Sequence, residues 1–247
     1  SDVIVKIDGD GQMDPGLIPS LIDPIVAAEA DYVKGNRFHS FFSVRTMPRR
    51  RLIGNAGLSF MTKLSSGYWT IFDPTNGFTA IHRTALNALD LKNIDHRFFF
   101  ETEILIRLGE LRARVLDMPM EAVYGDEKSN LNIKSVVFDF FKRHAYFTAR
   151  RIVYNYFLRD FSLASLNVVI GLILFLFGVL HGGIQWLESI TSGVPATTGS
   201  VMLSVLPIIV GMQLILFFFA FDIANQPVRP LAQWSLIEKQ KKYRQND

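Results

Sequence analysis

Val3-Ile4-Val5-Lys6-Ile7 runs directly into Asp8-Gly9-Asp10-Gly11-Gln12, and this junction decides how the first half of the chain is read. The apolar, β-branched run reads as a buried strand. Two carboxylates one residue apart at the mouth of such a strand can grip one hard cation from the same side. Hard cations take oxygen ligands, and Mg²⁺ is usually held by one or two carboxylates together with substrate phosphates. The spacing therefore suggests a metal-bridged diphosphate such as that of a nucleotide-sugar. The plainer reading is a polar turn after a strand, because Asp and Gly dominate turns. A calcium loop fits less well, since it wants Gly at its sixth position and Glu at its twelfth. Those positions hold Met13 and Pro19.

Outward from that junction, composition is uneven. The chain has 247 residues, 49% of them hydrophobic, and a net charge of +3. Phe161 to Trp186 contains no Asp, Glu, Lys or Arg, and neither does Val201 to Phe221. Crossing a bilayer takes about 20 apolar residues, so two transmembrane helices are expected, at about 163–187 and 201–221; a buried helical hairpin in a soluble domain is the alternative. Lys142, Arg143, Arg150, Arg151 and Arg159 precede the first run, and Arg229, Lys239, Lys241, Lys242 and Arg244 follow the second. The connector from Glu188 to Ser200 has no Lys or Arg. The positive-inside bias then puts both ends in the cytoplasm, as in an integral protein of a bacterial inner membrane. Absence of cysteine excludes a disulfide framework and any thiolate metal site. Nothing points to a nucleic-acid partner. No secretory signal opens the chain, and its start almost inside a strand suggests that an N-terminal part precedes Ser1.

Residues 1–130 alternate strand and helix patterns. Asp14-Pro15 resembles a cap and first-turn pair opening a helix toward Ala30. Tyr32-Val33-Lys34 reads as a strand, and Arg49–Leu64 as a helix with its apolar face on Leu52, Ile53, Ala56, Leu58, Phe60 and Met61. Phe78–Ile81, Glu101–Leu111 and Ala113–Leu116 follow as strand, helix and strand. Interleaving of this kind predicts an α/β layered domain. Residues 131–160 set Phe140, Phe141, Phe147 and Phe157 among basic residues, which predicts amphipathic juxtamembrane helices in the membrane interface; packing on the preceding domain is the alternative. Residues 161–224 hold the two spans, and 225–247 form a cytoplasmic tail.

Five segments occur in the order and spacing of one known family. They are Asp8-Gly9-Asp10-Gly11-Gln12-Met13-Asp14-Pro15, Gly35-Asn36-Arg37-Phe38 with Arg49-Arg50-Arg51, Asp73-Pro74-Thr75-Asn76-Gly77-Phe78, Phe100-Glu101-Thr102-Glu103, and Met118-Pro119-Met120. Together they resemble glycosyltransferase family 2, in its polyprenyl-phosphate branch of dolichol-phosphate mannosyltransferase-like and bactoprenol glucosyltransferase-like enzymes. The resemblance covers residues 1 to about 130 and implies a Rossmann-like (GT-A type) domain, here lacking the opening unit that binds the nucleotide base and ribose. Val3–Ile7 would then lie at a sheet edge that is normally paired.

What the resemblance implies can be set residue by residue. Asp8, Asp10 and Gln12 match the positions that bind Mg²⁺ or Mn²⁺ and, through it, the donor diphosphate; a turn-stabilising amide is the plain reading of Gln12. Arg37 and one of the three arginines, Arg51 first by spacing and Arg50 next, match those that hold the acceptor phosphate. Guanidinium forks pair bidentately with phosphate, although a basic run also suits lipid headgroups. Asp73 matches the position proposed as catalytic base. A phosphate monoester has its second pKa around 6 and is already ionised at neutral pH, so Asp73 can instead orient the acceptor or cap the turn before Pro74. Gly77 suits close approach of backbone to the sugar. Glu103, with Glu101 after it, suits sugar hydroxyls or arginines, although carboxylates at a helix start already suit the dipole. The family's R-x-x-G-x-S-K is replaced by Val123-Tyr124-Gly125-Asp126-Glu127-Lys128-Ser129-Asn130, so Lys128 is the one cation left there for a phosphate.

The expected activity is inverting transfer of one sugar from a UDP- or GDP-linked donor to undecaprenyl or dolichyl phosphate at the cytoplasmic membrane face, with room for a homo-oligomer. The alternatives are a membrane-anchored non-catalytic fragment that binds lipid phosphate, and a relative of processive polysaccharide synthases. The latter carry Q-x-x-R-W, which is absent here.

Overall fold

The computed structural model describes residues 2–9, 11–39, 49–95, 99–121 and 133–233, without the side chains of residues 49–51 and 133–137. Contacts divide the chain into two units, residues 1–151 with 226–247, and Ile152–Asn225.

The first unit is built on a four-stranded mixed sheet, β1 (Val3–Lys6), β2 (Tyr32–Asn36), β3 (Thr79–His82) and β4 (Val115–Pro119), in the spatial order β1-β3-β2-β4. β3 runs antiparallel to β1 and β2, while β2 and β4 are parallel. The expected α/β architecture is present, and β1 does occupy an edge. Because side chains alternate along a strand, Tyr32 and Ile81 face one core with Leu105, Leu108 and Val115, whereas Val33 and Ala80 face the other with Leu21, Ile25 and Phe78. Helix α1 (Ile18–Val26) supplies Leu21 and Ile25 to the second core. It follows the single turn Pro15–Leu17, whose cap is Asp14, accepting from the Gly16 amide at 2.8 Å. On the other face lie α3 (Arg83–Ala88), a short helix missed in the sequence, and α4 (Phe100–Leu111).

Helix α2 (Arg49–Ser66) forms where expected but turns its other face inward. Ser59, Thr62, Ser65 and Ser66 are buried, while Ile53 and Phe60 are exposed. Small hydroxyl residues allow a close approach: a Cβ on Gly109 of α4 would collide with the Ser66 carbonyl. The hydroxyls of Thr62, Ser65 and Ser66 donate to carbonyls of the same helix, Ser66 Oγ to that of Thr62 at 2.7 Å, while Ser59 Oγ has no hydrogen-bond partner among the described residues. Apolarity alone therefore picked the wrong face, since the helix spends its hydroxyls on packing.

Helix α5 (Ile133–Val153) packs on α2 and α4 through Phe140, His144 and Phe147, which surround Phe99. His144 Nδ1 meets Ser65 Oγ at 2.9 Å, and Arg151 Nε donates to the Leu64 carbonyl at 2.9 Å. The opposite side of α5 leaves Phe138, Phe141 and Tyr146 exposed, with the Lys142 ammonium 4.4 Å from the Phe138 ring centre. Residues 226–233 complete this unit. The Asp31 carboxylate, fully buried, accepts from the amides of Arg114 at 2.9 Å, Leu231 at 2.7 Å and Ala232 at 3.1 Å. Gln226 accepts from the Thr70 amide at 3.2 Å.

The second unit is a hairpin of α6 (Leu163–Ser192) and α7 (Thr198–Ala224), both long and apolar enough to cross a membrane. Only 22% and 17% of their most apolar windows are buried, which is unlike the core helix of a soluble protein. Small residues bring the two backbones together: a Cβ on Gly178 would stand 2.6 Å from the Ser204 carbonyl, and one on Gly171 2.9 Å from that of Gly211. Polar atoms inside the hairpin are paired, His181 with Ser204 and Gln185 with Ser200.

Candidate active site

The site is organised by the loop Phe72–Phe78, which leads into β3. Asp73 is buried, and both of its oxygens accept from Arg37, from Nε at 2.7 Å and Nη2 at 2.9 Å. This is the forked geometry that makes arginine–carboxylate pairs strong. The Arg37 amide adds a third contact at 3.2 Å. Three residues on, Asn76 donates from its amide to the Gly35 carbonyl at 2.8 Å and accepts from the Phe78 amide at 3.0 Å. Asp117 of β4 holds the loop's other end, its Oδ2 accepting from the Phe72 amide at 3.0 Å and from Asn36 at 2.9 Å. The chain between Phe72 and Phe78 is thus fixed to β2 and β4 at both ends.

Gly77 lies against Asp8. A Cβ there would collide with the Asp8 carboxylate, so only glycine lets this acidic side chain sit on the loop. Asp8 in turn pairs with Lys6 at 2.6 Å, and Lys6 reaches Glu101 at 3.0 Å. Burial alone would lower the Lys6 pKa, but hydrogen bonds and charge from Asp8 and Glu101 outweigh it and raise it. Gly11 adopts φ 72°, a left-handed turn that favours glycine immediately after the acidic pair.

Of the residues singled out in the sequence, the structure gathers Asp8, Gly77, Arg37 and Asp73 around one loop. Glu101, rather than Glu103, joins Asp8 through Lys6. Glu103 is buried, accepting from Arg107 at 2.9 Å and from the Asp95 amide at 3.1 Å. Gln12 is half-buried. Asp10 and Lys128 lie outside the described residues, and Arg50 and Arg51 are placed in α2 by backbone alone. Among the described residues no group of three acidic or histidine side chains could hold a metal. The Asp8 side chain, 41% exposed, still offers hard oxygen to solvent, and this donor suits a hard divalent cation in kind.

Two residues were missed by sequence reasoning. Lys34, among the largest fully buried side chains of the described residues, donates from its ammonium to the Asn76 carbonyl. Desolvation pulls its pKa down to about 8, against the opposing charges of Asp73, Glu101 and Asp117. Asp117 stands beside it in strand register, with burial pushing its carboxyl up to about 6; its Oδ1 has no hydrogen-bond partner among the described residues. A lysine inside Tyr32–Asn36, a strand buried at every position, was the available signal.

Residues 1–90 match the family model "Glycosyl transferase family 2". Among curated relatives, a UDP-N-acetylglucosamine–dolichyl-phosphate N-acetylglucosaminyltransferase of Methanococcus voltae is 32% identical over 50% of this chain and 49% of its own. A polyprenol monophosphomannose synthase of Mycolicibacterium smegmatis is 29% identical over 55% of this chain and 52% of its own. The chain thus spans about half the length of these relatives. A crystal structure of glucosyl-3-phosphoglycerate synthase from Mycobacterium tuberculosis, in complex with Mn²⁺, UDP and glucosyl-3-phosphoglycerate, is 16% identical with a TM-score of 0.41, covering 61% of this chain and 50% of that one. The family match and the named relatives bear out the resemblance read from the five motifs.

Proposed function

We propose, on the premise that residues 1–90 are a glycosyl transferase family 2 segment, that the whole protein transfers one sugar from a nucleotide-sugar to a polyprenyl phosphate, with inversion, at the cytoplasmic membrane face. The observation that carries this reading is the loop Phe72–Phe78, which ties Asp8 at Gly77 to the Arg37–Asp73 pair only a few residues away. One end offers carboxylate oxygen for the donor's diphosphate side, and the other a guanidinium, held by Asp73 through Nε and Nη2, as the positive charge for a phosphate acceptor.

An acceptor phosphate oxygen attacks the anomeric carbon of the sugar. The new carbon–oxygen bond forms as the bond to the nucleoside diphosphate breaks, and the electron pair leaves with the diphosphate. The phosphate is already ionised near neutral pH, so no proton need be removed, and Asp73 serves by holding the Arg37 fork in orientation. The acceptor phosphate would then share Arg37 with Asp73. A divalent ion, Mg²⁺ or Mn²⁺, on Asp8, Asp10 and Gln12 would offset charge on the departing diphosphate. Arg50, Arg51 and Lys128 remain candidate partners for phosphate, and Glu103 acts through Arg107.

The membrane setting rests on the two apolar helices and on the aromatic, basic outer side of α5, which suits an anionic headgroup layer. Residues up to Arg151 and from Gln226 on belong to one unit, which supports the reading that both ends of the hairpin lie at one membrane face. The test uses full-length protein in lipid nanodiscs with Mg²⁺ or Mn²⁺, a panel of UDP- and GDP-sugars, and undecaprenyl or dolichyl phosphate. Label is expected to move to the lipid fraction, chelation to stop it, and the product to carry inverted anomeric configuration. No transfer from any donor overturns the reading, and retained configuration overturns its inverting part.

A further inference from the structure

Lys34 is an expensive residue in an unusual place. It sits in β2 with Thr79 and Asp117 as its lateral neighbours, and its side chain is fully buried. An ammonium taken out of water is costly unless paired and hydrogen-bonded. Its hydrogen bond goes to the backbone carbonyl of Asn76, the residue before Gly77. The charges that act on it sit on three elements, Asp73 on the loop, Asp117 on β4 and Glu101 on α4, with Arg37 the opposing cation. Asp73 is bound by Arg37, Asp117 holds the Phe72 amide, and Glu101 holds Lys6 beside Asp8. Lys34 thus bonds the loop that carries Asp73 and Gly77, lies beside Asp117 in register, and feels the charge of groups in all three arms of the site.

We propose that Lys34 is a positioning residue, whose buried ammonium anchors the Asp73–Gly77 loop at the Asn76 carbonyl and so sets the places of the Arg37–Asp73 fork and the Asp8 seat together. The proposal rests on the transferase reading for its kinetic consequences but not for its structural one. The charge matters as well as the hydrogen bond. A neutral amine could still donate to a carbonyl, but it would remove a positive charge that acts against those of Asp73, Glu101 and Asp117. Burial lowers the Lys34 pKa to about 8, so its proton is lost within a readily measured range.

The variant Lys34→Met keeps length and removes both donor and charge. In full-length protein in nanodiscs its kcat is expected to fall on the order of 100-fold, while donor KM changes less than about threefold. The wild type should lose kcat above pH 8, and the residual activity of Lys34→Met should lack that limb. Hydrogen–deuterium exchange over Phe72–Phe78 should quicken in Lys34→Met at pH 7. Unchanged kcat with an unchanged pH profile overturns the positioning role even when transfer is observed. Unchanged exchange overturns the anchor whether or not any transfer is found. If Lys34→Met does not fold, the wild-type profile decides alone, and a flat profile from pH 7 to 9.5 overturns the proposal. Absence of transfer in the wild type would count against the transferase reading, while the exchange result would still judge the anchor.

Discussion

At the scale of single residues, Gly77 and Asp117 are the positions where a small change is most informative. Gly77→Ala puts a methyl group into the Asp8 carboxylate. That side chain is 41% exposed and can swing away, so the thermal midpoint should barely move. On the proposed function, transfer should fall on the order of 100-fold, a loss that a displacement of about 1 Å can produce. Rate and melting measured on the same preparation check this. Asp117 has the opposite signature. Its folded pKa of about 6 lies above the ordinary 3.8, so the native state holds the extra proton between those values. The group's contribution to stability is present below pH 4 and lost as pH rises through 6. Asp117→Asn, which keeps an oxygen for Phe72 and Asn36, should therefore stabilise the fold at pH 7.5 by up to about 3 kcal/mol. Lys34 loses a neighbouring anion in that variant, which reduces the gain. Melting of both proteins from pH 4 to 8 should show their difference vanishing at the acid end.

At the scale of elements, His144 ties α5 to α2. Burial lowers its pKa to about 4, so the unfolded chain takes up more protons between 4 and 6.5. Stability from this group is full above pH 6.5 and drains away toward 4, by up to about 3 kcal/mol. Limited proteolysis should cut near α5 more readily at pH 5 than at pH 7.5, and His144→Gln should remove that difference. His144 and Asp117 have opposite signs between pH 4 and 6, so the wild-type melting profile is flatter there than either single variant's. The same elements show what the sequence could tell. The strand–turn junction at Ile7–Asp8 and both long helices were plain from apolar runs, which depend only on local pattern. The inward face of α2 was not, because its buried positions are the hydroxyl residues Ser59, Thr62 and Ser66, with Ser66 close against Gly109 of α4, and no periodicity of apolar residues records that. Asp8, Gly77, Arg37 and Asp73 were legible through their motifs. Lys34 and Asp117 were not, because their meaning lies in neighbours from other strands and the loop.

At the scale of the molecule, the Asp31 carboxylate joins parts of the chain about two hundred residues apart. It accepts from three backbone amides in a fully buried position, and its removal leaves those donors without a partner. Asp31→Ala should destabilise the first unit by about 3 kcal/mol, and truncation after Ala224 should do at least as much. Differential scanning fluorimetry of the two variants checks both, and a midpoint unchanged in both would show that the returning segment is dispensable. The Asp31 clamp also orders events during synthesis. Residues 226–233 leave the ribosome only after α6 and α7, so Asp31 lacks its Leu231 and Ala232 donors while both long helices are being made. Domains generally fold as units as they emerge, but this one cannot close its last contacts until the hairpin is made. A chain stalled before α7 would therefore carry an unfinished first unit, whatever the state of its earlier elements.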